Sequence, residues 1–176
     1  MRVLMIGVLM AAPVPFADIP NVTVTPYDVL GRDAGAVRKA MEAARPLDTN
    51  DGQRVDALSR WQFSWRWHRD GPGRCSASLE DMQFSATVKM PRLSDPKVPV
   101  KLQASFDRYL QSLLLHEDGH VRYAWDHRGD IVAAINTAGC DGANAAAQAA
   151  MKAIAAHDIA YDRATHHGAT TVVSFS

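Results

Sequence analysis

Residues 113–120 read Leu-Leu-Leu-His-Glu-Asp-Gly-His, and the placing of this run organises the rest of the chain around it. Upstream, Phe106, Leu110, Leu113 and Leu114 recur three or four apart, the period of a helix buried along one stripe, and that helix runs directly into His116 and His120. Side chains four apart on a helix stand one turn above each other on a common face, so both imidazoles can reach one ion at about 2 Å. Glu117 sits beside them. In an H-E-x-x-H arrangement the glutamate is no ligand but the base that takes a proton from a water made acidic by zinc, while the ion polarises the attacked carbonyl. A surface His/Glu/His cluster without metal is the alternative. The apolar approach through Leu113–Leu115 argues against it, because it sinks the trio into the core, where unpaired polar groups are costly to desolvate. Asp118 is placed to help hold the ring tautomers.

Downstream, the helical pattern continues through Ile131 and Ile135 until Gly139, and a second, alanine-rich helix is expected from about Ala143 to Ala164, ending before Gly168. A metal bound by two imidazoles needs a third protein ligand. Asp126 is where a metzincin-like motif would put it, but that motif reverses the chain at a glycine, and Tyr123 stands there; on a continuing helix Asp126 points about a quarter-turn off the metal face. His127 returns to the face yet lies roughly 10 Å along the axis from His120. The ligand therefore comes from elsewhere, and the segment YDRATHHG (161–168) offers Asp162, His166 and His167.

The half of the chain before residue 91 reads differently. Val22–Val24 alternate with polar neighbours, Gly31–Arg45 carries Val37, Met41 and Ala44 at helical spacing before Pro46, and DTNDGQ (48–53) is a polar turn. WQFSWRWH (61–68) alternates Trp61, Phe63, Trp65 and Trp67 against polar residues, DGPG (70–73) turns, and Phe84, Ala86, Val88 and Met90 alternate again. An antiparallel β region of at least two strands follows, its aromatic row reading as a packed sheet face. Pro91, Pro96 and Pro99 then mark a crossing into the helical half. The class is α+β.

At 176 residues, 47% of them hydrophobic, one domain is the expectation. Nineteen basic residues balance nineteen acidic ones without a cationic run, which excludes a nucleic-acid or anionic-membrane partner of the usual kind. MRVLMIGVLMAAPVPFA (1–17) has the layout of a secretory leader, cleaved after Ala17, with residues 18–176 as the mature domain in the periplasm or medium. Its apolar run is too short to span a bilayer, and no other stretch approaches that length. The two cysteines, Cys75 and Cys140, are expected to pair in an exported chain.

HEDGH (116–120) followed by YDRATHHG (161–168) resembles a bacterial family known as domain of unknown function 922, described as predicted secreted zinc-dependent proteases. TPYDVLGRDAGAVRKAMEAARP (25–46), DGQRVDALSRWQFSW (51–65), the Cys75 region and VKMPRL (88–93) resemble the family's order of helix, DG turn, Trp-bearing strand and Pro-ended strand, so the likeness runs from about Val22 to Gly168. The ending ATTVV (169–173) and the doubled histidine at His166 depart from its pattern. The resemblance implies a zincin-like single domain, with an N-terminal antiparallel sheet packed on a C-terminal pair of long helices, one zinc ion and hydrolysis of peptide or protein substrates, those of the cell envelope among the candidates. It singles out His167, the histidine before glycine, as third ligand, with His166 and Asp162 as fallbacks, and Tyr161 to steady the oxyanion. An extended substrate would pair with an edge strand, for which QFSATVKM (83–90) is the candidate. Two other functions use the same residues: an exported, non-catalytic module in which zinc pins two helices, and an amidase acting on cell-wall peptides.

Overall fold

In the computed structural model, which describes residues 14–176, three strands and two long helices enclose the core. The first thirteen residues of the expected leader lie outside the described residues. Of its last four, Phe16 is buried and its N–H donates to Asp118 Oδ1 at 3.2 Å.

Strands β1 (Val22–Val29), β2 (Leu58–Trp65) and β5 (Met82–Leu93) form a sheet in the order β1-β5-β2. β2 runs antiparallel to β5, with Phe63 opposite Phe84 and Trp61 opposite Ala86. β1, however, runs parallel to β5, with Val24 opposite Val88, so the sheet is mixed where an antiparallel one was expected. A parallel neighbour needs a long crossover, and here α1 (Ala34–Ala44) and β2 intervene between the partners. The DGPG turn does not join the two main strands. It closes a small hairpin of β3 (His68–Gly71) and β4 (Arg74–Ser76). Because β5 is paired along both edges, QFSATVKM cannot accept a further strand; among the described residues β1 and β2 each pair on one side alone, and of these two edge strands it is β2 that carries Ser59, the partner of Glu117.

The alternating aromatic row lies on the core side as expected: Phe63 is buried against Phe84, with ring centres 5.0 Å apart, and Phe84 meets Trp125 at 5.5 Å. Trp61, Trp65 and Trp67 are half-buried and direct their indole N–H groups to Asp158, Asn144 and Asn144. α1 is capped by Asp33, whose carboxylate accepts from the Ala36 N–H, and buries Val37 and Met41 completely.

α2 (Val100–Asp126) buries one stripe, Leu102, Phe106, Tyr109, Leu113, His116, His120 and Ala124, against the sheet. The chain turns at His127 (φ −89°, ψ 6°) and enters α3 (Arg128–Thr165). This break was not expected; the expected one, at Gly139, is present as a kink inside α3 with φ 68° and ψ 173°. Without it a straight α3 would carry Asp162 roughly 50 Å from Arg128, so the bend is what returns the C-terminal stretch to α2. Glycine is required twice over at the kink, by its positive φ and because a Cβ there would stand 2.9 Å from the Gly73 carbonyl oxygen. The adjoining Cys140 is disulfide-bonded to Cys75, as expected, and ties the kink to β4.

Candidate metal centre

The α2 stripe carries His116, Glu117 and His120 into the protein with 4%, 3% and 7% of their surface exposed. Facing them, the returning part of α3 presents Asp158 and Asp162, also one turn apart. His116 Nε2 lies 3.4 Å and His120 Nε2 3.1 Å from the same oxygen, Asp162 Oδ1. His116, His120 and Asp162 each offer a ligand atom within 4.8 Å of the others.

The surrounding contacts fix these donors. His120 Nδ1 faces Asp158 Oδ1 at 3.2 Å, and the other oxygen of Asp158 accepts the Trp61 indole N–H at 2.6 Å. This leaves His120 Nε2 as the atom directed to a metal. The Ser59 hydroxyl on β2 donates to Glu117 Oε2 at 2.6 Å. Tyr161 lies against both imidazoles, parallel to His116 (ring centres 4.9 Å apart, planes at 16°) and edge-on to His120. Its hydroxyl is so close to α2 that a Cβ on Gly119 would stand 2.8 Å from it.

The turn after α1 supplies another wall. Asp48 is 4% exposed and its Oδ1 accepts the Asn50 N–H at 2.9 Å. At the end of α3, His166, His167 and Gly168 all have left-handed φ, 50°, 52° and 82°. This corner turns His167 towards Asp51, with Nε2 2.9 Å from Asp51 Oδ2 and Nδ1 3.6 Å from Asp162 Oδ1. Gly168 lets the corner close over His116, since a Cβ there would sit 3.2 Å from the imidazole.

The structure thus gathers His116, Glu117, His120 and Asp162. Among the described residues, His167 groups with Asp48 and Asp162 and not with the two imidazoles. His166 is exposed, Asp126 is exposed, and His127 pairs with Asp130 at 2.8 Å. Sequence reasoning missed Ser59, Trp61, Asp158 and Asp48. One signal was available, because Asp158 and Asp162 repeat on α3 the four-residue spacing of His116 and His120 on α2.

Four carboxylates and three imidazoles line the cavity, and no lysine or arginine does. Burial pushes the Glu117 pKa up, against the Ser59 hydrogen bond and the neighbouring imidazoles. Burial alone would lower that of His120, yet Asp158 and Asp162 outweigh it and raise it to about 10. Burial would likewise raise that of Asp162, but His116 and His120 hold it well below the usual carboxylate range. Unbalanced negative charge, two Nε2 atoms converging on one carboxylate oxygen, and a buried His116 Nδ1 without a partner among the described residues fit a divalent cation.

Residues 24–168 match the model of a family described as bacterial protein of unknown function (DUF922). Neither the curated proteins nor the solved structures contain a match.

Proposed function

The chain belongs to the DUF922 family, and from the site it carries we propose that it is an exported zinc-dependent peptidase holding one catalytic ion with His116, His120 and Asp162. The observation that carries this reading is the convergence of the two Nε2 atoms on Asp162 Oδ1 with Glu117 buried alongside. Asp162, one of the fallbacks, replaces His167 as third ligand of this ion. Three protein donors leave a coordination position open, which favours catalysis over a zinc that only pins helices.

When bound, zinc supplies a Lewis acid and an acidified water. Glu117 takes the proton of the attacking water and returns it to the departing amine, a task suited to a carboxylate whose pKa burial has raised. Ser59 holds the Glu117 carboxylate in place, while Asp158, itself held by Trp61, fixes the His120 ring. Tyr161 packs the two ligand imidazoles; the reading gives it a positioning role and leaves the oxyanion to the cation.

An extended peptide is accommodated by the free edge of β2. Leu58–Phe63 line a groove together with Met151, Lys152, Ala155 and Asp158 of α3 and the turn at residues 48–50. Backbone pairing there would deliver a scissile bond beside Ser59 and Glu117. The disulfide is of a kind that persists in an oxidising compartment, and no described helix is long and apolar enough to cross a membrane; both accord with export.

Glu117→Gln tests the reading. The variant should keep the parent's zinc content by elemental analysis and hydrolyse a peptide library at least ~100-fold more slowly. Turnover at the parental rate would remove Glu117 from the mechanism, and a parent that binds no zinc would end the proposal.

A further inference from the structure

We propose that Asp48, His167 and Asp162 form a second divalent-cation site, joined to the first by Asp162 as a bridging carboxylate. The proposal rests on the function above only through this shared residue.

The three side chains each offer a ligand atom within 4.8 Å of the others. The closest approach of His116, of His120 and of His167 to Asp162 is in each case to Oδ1. Oδ2 takes no hydrogen bond among the described residues and is available to a second ion. Asp48 points the same way. Its backbone is held on both sides, by Asp48 N–H to Gln53 and by Gly52 N–H to the Asp48 carbonyl, so the polar turn presents the carboxylate rigidly. That carboxylate is more than nine-tenths buried, lines the cavity, and has the Asn50 N–H as its one hydrogen-bond donor among the described residues. A buried carboxylate with so little compensation calls for a cation, and the cavity lining contains no lysine or arginine.

His167 completes the set. Asp51 Oδ2 lies 2.9 Å from Nε2 on one side of the ring, and Nδ1 on the other faces Asp162, 3.6 Å from its Oδ1. A carboxylate behind the far nitrogen is the usual way a ligand imidazole is oriented, and Asp158 does the same for His120 through the opposite nitrogen. Each group therefore has an oriented histidine and they share one aspartate, the plan of a two-metal hydrolytic site, where the ions clamp the attacking and leaving atoms. One imidazole with two carboxylates suits zinc or manganese better than calcium.

Zinc titration of the full chain with exhaustive dialysis and elemental analysis is the test, with far-UV circular dichroism to confirm folding. The parent should hold two equivalents; Asp48→Asn and His167→Ala should each hold one, bound as tightly as the parent's tighter ion. Asp51→Asn should keep both while weakening the looser one by about 10- to 100-fold. Asparagine can still accept the Asn50 N–H, and His167 lies in the terminal corner, so failure of one variant to fold leaves the other decisive. Saturation of the parent at one equivalent overturns the inference and spares the proposed function. Loss of all zinc in His167→Ala overturns it too, by making His167 a ligand of the first ion. Two equivalents retained in both variants place the second ion elsewhere, and no zinc in the parent ends both readings.

Discussion

Gly119→Ala should damage this protein although it inserts a better helix former into the middle of α2. In an unconstrained helix interior the change stabilises by up to about 1 kcal/mol. Here the new methyl would stand 2.8 Å from Tyr161 Oη, 3.0 Å from Cζ and 3.1 Å from Cε1. Carbon atoms settle about 3.5–4.0 Å apart, so the ring must retreat by roughly half an ångström or more. It has little room, being stacked on His116 at 4.9 Å and held edge-on by His120. Overpacking of this kind costs about 1–3 kcal/mol, which cancels or exceeds the propensity gain and leaves a net loss of up to ~2 kcal/mol. Retreat of Tyr161 also draws the adjacent Asp162 from the two imidazoles, so zinc affinity should fall at least tenfold, or about 1.4 kcal/mol. Tyr161→Phe removes the nearest atom and should recover part of both losses in the double variant. Urea unfolding and competition with a zinc chelator provide the measurements. A Gly119→Ala protein that is about 1 kcal/mol more stable and binds zinc like the parent would refute the close approach of α3 to α2 at this turn.

Other outcomes are equally specific. Ser59→Ala removes a hydrogen bond that lowers the Glu117 pKa, so the acid limb of kcat/KM should move to higher pH; an unmoved limb would detach Ser59 from the base. Replacing both cysteines by alanine opens a loop of sequence separation 65 and should cost about 4 kcal/mol in oxidised protein, measured by denaturant unfolding. In metal-free protein the His120 pKa rises from an ordinary 6.5 to about 10. Its contribution to stability is therefore complete below about pH 6.5 and is lost as pH climbs towards 10. Between pH 7 and 8 zinc must displace the His120 proton, so calorimetry in buffers of different ionisation heat should show about one proton released per ion at the first site; none released would contradict a protonated His120.

Much of the fold was legible because its signals are periodic. The stripe from Phe106 to His120 and the alternation through Trp61, Phe63 and Trp65 both report a buried face, and faces survive whatever the rest of the chain does. Connectivity is not periodic. DGPG looks like a hairpin turn, and it is one, but between β3 and β4, while β1 enters beside β5 in parallel, a pairing no local residue announces. The turn at His127 was hidden for a similar reason: the nearby Gly129 lies inside the first turn of α3 without a left-handed φ, and the chain closes instead through His127 N–H to the Tyr123 carbonyl and the His127–Asp130 contact.

The site divides along the same line. Two imidazoles and a glutamate within five residues are a local pattern, and α2 brings them together by its pitch alone. Everything else arrives through tertiary structure, on β2, on the turn after α1 and on the returning half of α3. The candidates for third ligand show what this costs. His167 has the better chemistry for zinc and stands at a glycine corner, yet which residue reaches the imidazoles is decided by the register of α3. Asp158, Tyr161 and Asp162 share the face turned to α2, with the aromatic ring wedged over Gly119 and the carboxylates on either side of His120. His167 lies beyond the last turn, where left-handed backbone at His166 and His167 directs it to Asp51 and the Asp48 wall. With Asp158 and Asp162 set against His120, His167 stands 3.6 Å from Asp162 Oδ1, on the side of that carboxylate away from α2 where the proposed second ion would sit.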